Sequence, residues 1–355
     1  MKIIYSLCSW GLGHATRGLP VIRRLIKDGH EVIVYTSGRS LELLKSELGS
    51  GARYIASVPY PSPYSDKIGF AWRFIKTAPK IIEIIKEETK DIDKIVDENK
   101  IDLIISDSRF GSYSKSVPSY LIFHQLRFIA PLRLMPAEML TEYYNHNLQN
   151  KFEKIIVPDY AGNSLSGDLS HNLRYFKKEN VEYIGILSDF EKIETTEDIE
   201  YLFSISGPEP TRTALEKALL SQINLLKGKI AVSLGKPGKF TEETRGNAVL
   251  YSFLEKKRRD ELMNRAKMVV SRSGYTTVMD VAEIDKKAFF IPTPGQTEQI
   301  YLARHLEKAG YFHSVKQGKL KLDEDTQEAL KYKGFIPPWK TAESVERFLK
   351  VIGVK

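Results

Sequence analysis

The stretch CSWGLGHATRGLP, residues 8–20, combines residue types that can do chemistry with a spacing that places them together. It follows the apolar run Ile3–Leu7, which predicts a buried strand, and leads into an apolar helix predicted from about Arg17 to Asp28. His14 can accept a proton near neutral pH, and Arg17 comes one helical turn later. Backbone amides at the start of such a helix attract anions. The stretch therefore predicts an active-site loop that carries a base and approaches an anionic group.

Two common phosphate-binding fingerprints are excluded for this loop. A dinucleotide motif needs another glycine three residues after Gly13, where the sequence has Thr16. It also needs an acidic residue at the end of the second strand, which here ends in Tyr35-Thr36-Ser37-Gly38. A Walker A loop is excluded because no Gly-Lys-Ser/Thr follows the glycines. A purely structural role for His14, in capping or packing, stays open at this point.

A second loop, VVSRSGYTTVMD at residues 269–280, repeats the design in the other half of the chain. A buried strand ends there, Ser273 is a candidate N-cap, and Gly274 permits close approach of a phosphate. Asp280, about two turns into the following helix, can accept hydrogen bonds from both ribose hydroxyls of a nucleotide. The turn IPTPGQTEQ, residues 291–299, follows the next predicted strand and carries polar groups that can hold sugar hydroxyls. These loops predict a nucleotide site, and ordinary strand–helix connections are the alternative.

The elements that position these loops alternate between strand and helix along both halves of the chain. In the first half, strands are predicted at Lys2–Cys8, His30–Thr36, Ala52–Val58, Ile101–Ser106, Tyr120–Phe123, Lys154–Val157 and Glu182–Ile186. In the second half, they are predicted at Tyr201–Ile205, Lys229–Ser233, Ala248–Ser252, Met268–Val270 and Ala288–Ile291. The acidic segment Ser188–Ile199 lacks an apolar period and predicts the inter-domain link.

This pattern predicts an α/β chain of two Rossmann-like, doubly wound domains facing a cleft. The first domain is expected at residues 1–190, and the second, which carries the predicted nucleotide site, at residues 191–335. A final helix within residues 336–355, set off by Pro337 and Pro338, is expected to pack back on the first domain.

Length and composition agree with a globular two-domain protein. The chain has 355 residues, of which 42% are hydrophobic and 28% charged, as in ordinary soluble domains. The net charge of +8 favours anionic partners. A single cysteine, Cys8, excludes a disulfide framework and fits a reducing cytosol. The expected location is cytoplasmic, since neither a signal peptide nor a membrane-spanning stretch is evident.

Several motifs carry a family resemblance. The strongest run from about Val249 to Gly310 and include SFLEKK, SRSGYTTVMD and FFIPTPGQTEQIYLARHLEKAG. The N-terminal GLGHATRGLP and the segment VPSYLIFHQ, residues 117–125, add to them. In this combination and order the chain resembles GT-B glycosyltransferases of family 28. That family includes the UDP-N-acetylglucosamine transferase of peptidoglycan lipid-precursor synthesis and uncharacterised archaeal and bacterial relatives.

The resemblance implies roles for the matching residues. Phe253 and Leu254 would flank a uracil, Ser273 and Gly274 would approach the diphosphate, Asp280 would hold the ribose, and Glu298 and Gln299 would contact the donor sugar. The full predicted donor set is Gly13, Phe253, Leu254, Arg272, Ser273, Gly274, Thr277, Asp280, Gln296, Glu298 and Gln299. On the acceptor side, His14 would face the acceptor hydroxyl, with Arg17, His124 and Gln125 nearby. The family's acceptor motif HEQN is here His124-Gln125-Leu126-Arg127, so the acceptor side departs more than the donor side.

The expected function is inverting transfer of a hexose, such as N-acetylglucosamine, from a UDP-sugar to a hydroxyl acceptor in envelope glycan or glycolipid synthesis. His14 would accept the proton, with Asp107 as the reserve candidate for the base, and Arg212 or Arg272 would aid the leaving diphosphate. No metal and no cofactor besides the UDP-sugar co-substrate are expected. A UDP-sugar 2-epimerase of the same fold and a non-enzymatic nucleotide- or nucleic-acid-binding protein are the alternatives. No RNA-recognition or helix-turn-helix signature is evident, so nucleic acid is not an expected partner.

Two stretches predict contact with the inner face of a membrane, which a lipid-linked acceptor would favour. The first contains Phe70, Trp72, Phe74, Arg73, Lys76 and Lys80. The second contains Phe128, Leu132, Leu134, Arg127 and Arg133. Aromatic, apolar and basic side chains together suit peripheral binding to anionic lipid. Burial of the apolar residues in the core is the alternative.

Overall fold

The chain consists of two compact units. The computed structural model describes residues 1–61, 70–236 and 238–354, apart from the side chains of residues 70–76 and 78. One unit comprises Met1–Asp189 and Trp339–Lys355, and the other comprises Phe190–Pro338. The first division lies one residue from the predicted boundary. The second lies three residues later than predicted, because Pro337 and Pro338 belong to the second unit.

A sheet of seven parallel strands forms the centre of the first unit. Its strands are β1 Lys2–Leu7, β2 Glu31–Thr36, β3 Arg53–Ala56, β4 Leu103–Asp107, β5 Ser119–Ile122, β6 Lys154–Val157 and β7 Val181–Tyr183. The helices between them are α1 Gly13–Lys27, α2 Gly38–Leu48, α3 Phe70–Asn99 and α4 Met135–His146. The inner strands are nearly continuous apolar runs because helices cover both faces of a parallel sheet.

The order of this sheet is β3-β2-β1-β4-β5-β6-β7. Strands β2 and β3 lie on one side of β1, and the strands that come later in the chain lie on the other side. The winding therefore reverses between β1 and β4, and ligands of such sheets bind at the carboxyl ends of the strands at this switch point. Residues after Leu7 and around Asp107 occupy that position in the first unit.

The second unit repeats the architecture. Its strands are β8 Ile199–Ser204, β9 Ile230–Ser233, β10 Glu242–Arg245, β11 Ala248–Tyr251, β12 Ala266–Ser271, β13 Lys287–Phe290 and β14 His313–Ser314. Its helices are α5 Thr211–Leu220, α6 Lys256–Arg265, α7 Tyr275–Glu283, α8 Thr297–Lys308 and α9 Leu322–Ala329. The strand order is β10-β11-β9-β8-β12-β13-β14, and only β10 is paired antiparallel among the described strands. Its switch point lies between β8 and β12.

The last helix, α10 Thr341–Val351, returns to the first unit. Val345, Phe348 and Leu349 are buried in one cluster with Val21 and Leu25 of α1. The return begins at Trp339, whose Nε1 donates to Ile184 O at 2.8 Å and whose ring meets Tyr160 edge-on. Along the parts of the chain that the structure describes, we find no helix both long and apolar enough to span a bilayer.

The N-terminal helix starts earlier than its sequence predicts. The apolar period predicts a start near Arg17, whereas α1 begins at Gly13. The extra turn closes because Thr16 N donates to Leu12 O at 2.9 Å, and the Thr16 hydroxyl also bonds back to this turn. His14 therefore lies in the first turn of α1, with Arg17 one turn further along the same face.

Three elements are absent from the sequence prediction. They are α2, the edge strand β10 and the short strand β14. Strand β10 is exposed along its whole length and carries no apolar alternation, so periodicity cannot identify it. It forms because the chain turns at Gly246, at a φ of 60°, and pairs back on β11.

Candidate active site

His14 and Asp107 meet at the switch point of the first sheet. His14 is the second residue of α1, and Asp107 is the last residue of β4. The Nδ1 atom of His14 lies 2.7 Å from Asp107 Oδ1. At this distance Nδ1–H donates to the carboxylate, which leaves Nε2 with the lone pair that a base requires. The His14 side chain is 20% exposed and that of Asp107 is fully buried, so only the imidazole can meet a substrate.

Arg17 is buried beside the same carboxylate. Its Nε donates to Asp107 Oδ2 at 2.7 Å, and its Nη2 donates to Oδ1. These two bonds form a bidentate arginine–carboxylate pair, which is stronger and more directional than a single contact. The guanidinium also approaches both histidines, with Nη1 3.3 Å from His124 Nδ1 and Nη2 3.0 Å from His14 Nδ1. The structure thus brings together four residues that the sequence analysis selected separately.

Asp107, the reserve candidate for the base, has a different role in this arrangement. Burial raises the pKa of its carboxyl group, but the charges and hydrogen bonds of Arg17 and His14 outweigh burial and hold that pKa well below its ordinary value. A carboxylate with so low a pKa is a poor proton acceptor, and solvent does not reach this one. Asp107 is therefore a positioning residue that fixes the imidazole of His14.

The backbone around Asp107 is held as tightly as its side chain. Ser108 adopts a φ of 59°, in the left-handed region that residues other than glycine seldom occupy. The Ser108 hydroxyl donates to Asp107 Oδ1 at 3.2 Å. Such conformations cost roughly 1–3 kcal/mol and cluster at functional sites. The strained turn and the arginine pair therefore fix the carboxylate from two directions.

In the second unit, the loop after β12 is hydrogen-bonded to the first turn of α8, the helix that follows β13. Ser273 does not cap α7 with its side chain as predicted: its hydroxyl donates to Gln299 O at 2.9 Å, and Gly274 occupies the N-cap position. The side-chain oxygen of Gln299 accepts a hydrogen bond from Thr293 N at 2.9 Å. Gln299 Nε2 is the nearest atom to the place where a Gly274 Cβ would stand, at 3.9 Å. Ser273, Gly274 and Gln299 thus lie together, with open space beside the first turn of α7.

Neither arginine proposed for the diphosphate presents an unengaged guanidinium. Arg272 is buried, and its two Nη atoms donate to the carbonyls of Thr211, Ile291 and Pro292 and to Gln317 Oε1. Direct contact between its Nη atoms and a phosphate is therefore not supported, because these donors are already used. Arg212 is held by Glu209 and Glu216 in two ion pairs of 2.6 Å.

The remaining predicted residues lie in the loops and helices that follow β1, β5, β11, β12 and β13. Gly13 is the first residue of α1, Thr277 and Asp280 lie on α7, and Gln296 and Glu298 begin α8. Gln125 Nε2 lies 3.4 Å from His124 Nε2. Phe253 and Leu254 are half-buried after β11, three strands from β12, and Phe253 packs edge-on against Phe240. Within the described ranges, no hydrogen bond or ring contact joins those two residues to Gly274 or Gln299.

Comparisons with known proteins agree with this architecture. Residues 1–121 match the sequence model of glycosyl transferase family 1, and residues 215–349 match that of the glycosyltransferase family 28 C-terminal domain. The chain is a glycosyltransferase of the GT-B type, and its similarity to family 28 covers residues 215–349. Two archaeal relatives, each described as an uncharacterized glycosyltransferase, come from Methanosarcina mazei and Methanosarcina acetivorans. Both are 25% identical to this glycosyltransferase, over 88% of this chain and 84% of each relative.

Solved structures show the same fold. A glycotransferase of kitacinnamycin superposes with a TM-score of 0.65 at 13% identity, covering 99% of this chain and 95% of that one. Acinetobacter baumannii MurG superposes with a TM-score of 0.60 at 13% identity, covering 98% and 99%. The spinosyn forosaminyltransferase SpnP superposes with a TM-score of 0.62 at 11% identity, covering 99% of both chains. This GT-B glycosyltransferase therefore has the predicted fold of two Rossmann-like domains.

Sequence reasoning missed the pairing of His14 with Asp107 and the anchoring contacts of Arg272. The pairing of His14 with Asp107 could have been predicted, because β1 and β4 are neighbours in a doubly wound sheet and their carboxyl ends meet. The second had no signal, since an arginine in an SRSG turn is equally suited to bind a phosphate or a backbone carbonyl.

Proposed function

We propose that this glycosyltransferase transfers a sugar from a UDP-sugar to a hydroxyl acceptor in one inverting displacement. The observation that carries the proposal is the His14–Asp107 pair at the switch point of the first sheet, with Nε2 of the partly exposed imidazole carrying the lone pair. The acceptor oxygen forms a bond to the anomeric carbon while the bond to the diphosphate oxygen breaks. Nε2 of His14 takes the acceptor proton, and UDP leaves with the electron pair.

The second unit provides groups for the anionic part of the donor. Backbone amides in the first turn of α7 have no carbonyl partners within the helix and carry the positive end of its dipole. Gly274 leaves space beside them, and Gln299 Nε2 borders that space. These features support diphosphate binding at α7, with Asp280 further along the helix for the ribose. They stabilise the charge that develops on the leaving group.

A thermal-shift panel tests the donor class. The melting temperature of the protein is measured with UDP, GDP, dTDP and ADP at equal concentrations. We expect UDP to give the largest increase, because a ligand that binds only the folded state stabilises it by mass action. A larger increase with GDP, or equal increases with all four, would show that the uridine part of the proposal is wrong.

Replacing the base tests the chemistry. With UDP-N-acetylglucosamine and a polar lipid extract as acceptor source, we expect His14→Ala to lower the rate of UDP release by roughly 10²- to 10⁴-fold, the contribution of a well-placed base. His171→Ala is the matched control, because His171 also pairs with a buried aspartate, at 3.2 Å from Asp159, in the same unit. The control should retain activity within about threefold of the unsubstituted protein. Equal rates for His14→Ala and His171→Ala would exclude His14 as the base.

We further propose a lipid-linked acceptor that is reached from an anionic membrane surface. An apolar surface around the start of α4 supports it, with Leu132 fully exposed and Leu134, Met135 and Leu140 largely exposed. Beside it lies a cavity of about 570 Å³, lined by Arg127, Arg133, Met135, Pro136, Met139, Asp168, Asn172 and Arg174. An exposed apolar surface of this kind is more stable in contact with a membrane interface than in contact with water.

The structure changes which predicted residues contribute to this surface. Arg127 is buried in an ion pair with Glu142, and Phe128 is half-buried beside Phe123, so neither is a surface anchor. The side chains of Phe70, Trp72, Phe74, Arg73 and Lys76 lie outside the described residues.

Sedimentation with liposomes tests the surface. Vesicles with about one third anionic lipid should carry the unsubstituted protein down at low salt, because apolar insertion and charge attraction act together. The double change Leu132→Asp and Leu134→Asp should leave most of the protein in the supernatant. Ile336→Asp is the control, since Ile336 is 80% exposed in the second unit. Equal sedimentation of both variants would contradict the proposed surface.

A further inference from the structure

Arg272 is the least exposed of the charged groups at the switch point of the second sheet. It directly follows β12, two residues before the N-cap of α7, and its side chain is about 2% exposed. Burying a guanidinium is costly, and proteins usually offset the cost with a carboxylate. Among the described residues, no ion pair joins Arg272 to an acidic group, and its partners are neutral oxygens.

Those oxygens belong to loops of neighbouring strands. Thr211 O lies at the start of α5, after β8, which pairs with β12 on one side. Ile291 O and Pro292 O follow β13, which pairs with β12 on the other side. Gln317 Oε1 follows β14, one strand further along the sheet. One side chain therefore fixes the carboxyl-end loops of three other strands to the loop that begins α7.

We infer that Arg272 is a positioning residue of the donor site, which holds these loops in place and supplies a buried positive charge for the diphosphate without contacting it through Nη. The inference rests on the proposed function, in which the α7 loop receives the diphosphate. The Nε of Arg272 has no hydrogen-bond partner within the described part of the chain, so the charge is not fully engaged by the protein. A positive charge in a region of low dielectric acts on a nearby diphosphate more strongly than a solvated one.

The charge persists at neutral pH. Burial lowers the pKa of the Arg272 guanidinium to about 10, which still lies well above neutrality. The contribution to diphosphate binding is therefore expected to remain constant over the pH range in which His14 would act as a base.

Three variants separate anchoring from general stability. Arg272→Met removes the charge and every hydrogen bond at similar length, and Arg272→Lys keeps a charge with fewer and less directional donors. The matched control is Lys286→Met. Lys286 is also a buried cation of the second unit, and its Nζ donates to Asn264 O at 2.6 Å, but it lies just before β13, at the amino edge of the sheet.

Hydrogen exchange without ligand tests the anchoring independently of any donor. We expect Arg272→Met to raise amide exchange at least tenfold in residues 291–296 and 317–319, with less change in the β10–β11 hairpin. Lys286→Met should not accelerate those loops selectively. Unchanged exchange in Arg272→Met would overturn the inference, whatever nucleotide the protein binds. If Arg272→Met fails to fold, the same loops are compared in Arg272→Lys, where at least a threefold acceleration is expected.

Calorimetric titration with UDP and with uridine tests the effect on the diphosphate. We expect Arg272→Met to weaken UDP binding by at least tenfold and uridine binding by less than twofold, with Arg272→Lys in between for UDP. Unchanged UDP affinity in a folded Arg272→Met variant would overturn the inference. Absence of UDP binding by the unsubstituted protein would instead contradict the proposed donor, and the comparison would then use the nucleoside diphosphate that stabilises it.

Discussion

Both units bury an arginine at the switch point of their sheet, but the surroundings of the two arginines differ. Arg17 forms a bidentate pair with the carboxylate of Asp107 and approaches two histidines. Arg272 donates to three backbone carbonyls and one side-chain amide. The first arrangement neutralises its arginine within the protein, whereas the second leaves a net positive charge.

The different partners of Arg17 and Arg272 suit the two units to different chemistry. A neutralised arginine–carboxylate pair fixes a histidine without adding a net charge that would oppose its protonation. An arginine with only neutral partners favours an external anion close by. The same fold thus provides a site suited to proton transfer in one unit and a site suited to binding an anion in the other.

The largest effect is expected from Asp107→Asn. An asparagine amide has a single acceptor oxygen and no negative charge. It therefore cannot accept hydrogen bonds from both His14 Nδ1–H and Arg17 as the carboxylate does, and the imidazole loses its fixed orientation. We expect UDP release to slow by on the order of 10³-fold, with no change in the affinity for UDP. Steady-state rates and titration with UDP measure both quantities. A parallel loss of UDP affinity would show that the two sites are not separable in this way.

Arg17→Met should destabilise the first unit strongly. Its loss leaves the buried carboxylate of Asp107 without its arginine partner, which costs about 3–5 kcal/mol and lowers the melting temperature by roughly 10 °C. Adding Asp107→Asn should recover part of that loss, because the unpaired charge is then removed. Differential scanning calorimetry of the single and double variants provides the test. Purely additive losses would mean that the pair contributes no coupling energy.

A smaller effect is expected from Gly274→Ala. The backbone there has no positive φ and the added Cβ would meet nothing closer than 3.9 Å, so the fold should tolerate it. The methyl group would occupy space assigned to the diphosphate, and we expect about a tenfold loss of UDP affinity, or about 1.4 kcal/mol. Gly318→Ala, at another open glycine of the same unit, is the control. Unchanged affinity for UDP would place the diphosphate elsewhere.

The smallest effect concerns pH. Because the pKa of Asp107 is lowered in the folded protein, its carboxylate stabilises the fold above the ordinary pKa of about 4 and loses that contribution as the pH falls. The difference in unfolding free energy between the unsubstituted protein and Asp107→Asn should shrink by about 1 kcal/mol between pH 5 and pH 3. Urea titrations at several pH values measure it. A difference that does not vary with pH would contradict the assigned shift.

Much of the fold was predictable because parallel strands in an α/β protein are continuous apolar runs. Strand β6 has the predicted limits, and the other inner strands differ from their predicted limits by at most two residues at either end. Elements without apolar periodicity, such as β10, exist only through pairing with a neighbour and leave no local signal. The start of α1 was missed because the apolar period of the helix begins only after Arg17, whereas Thr16 closes an additional turn before it.

The candidate site was predictable as a set of residues but not as a set of contacts. His14, Arg17 and His124 were selected from the sequence, yet the part that Asp107 plays depends on atoms that only the packed sheet brings within 3 Å. Arg272 was also selected from the sequence, as a residue that could bind phosphate. In the structure its Nη atoms instead donate to backbone carbonyls of adjacent loops.

The return of the chain at Trp339 affects how the protein is made. During synthesis, the seven strands of the first sheet emerge from the ribosome long before α10, which covers the apolar face of α1. Trp339 can pack in this position only against a glycine at residue 185, because a Cβ there would lie 2.2 Å from Trp339 Nε1. Helix α1 carries His14 and Arg17, so the unit that holds the proposed base is covered by α10 only after the whole of the second unit has been translated.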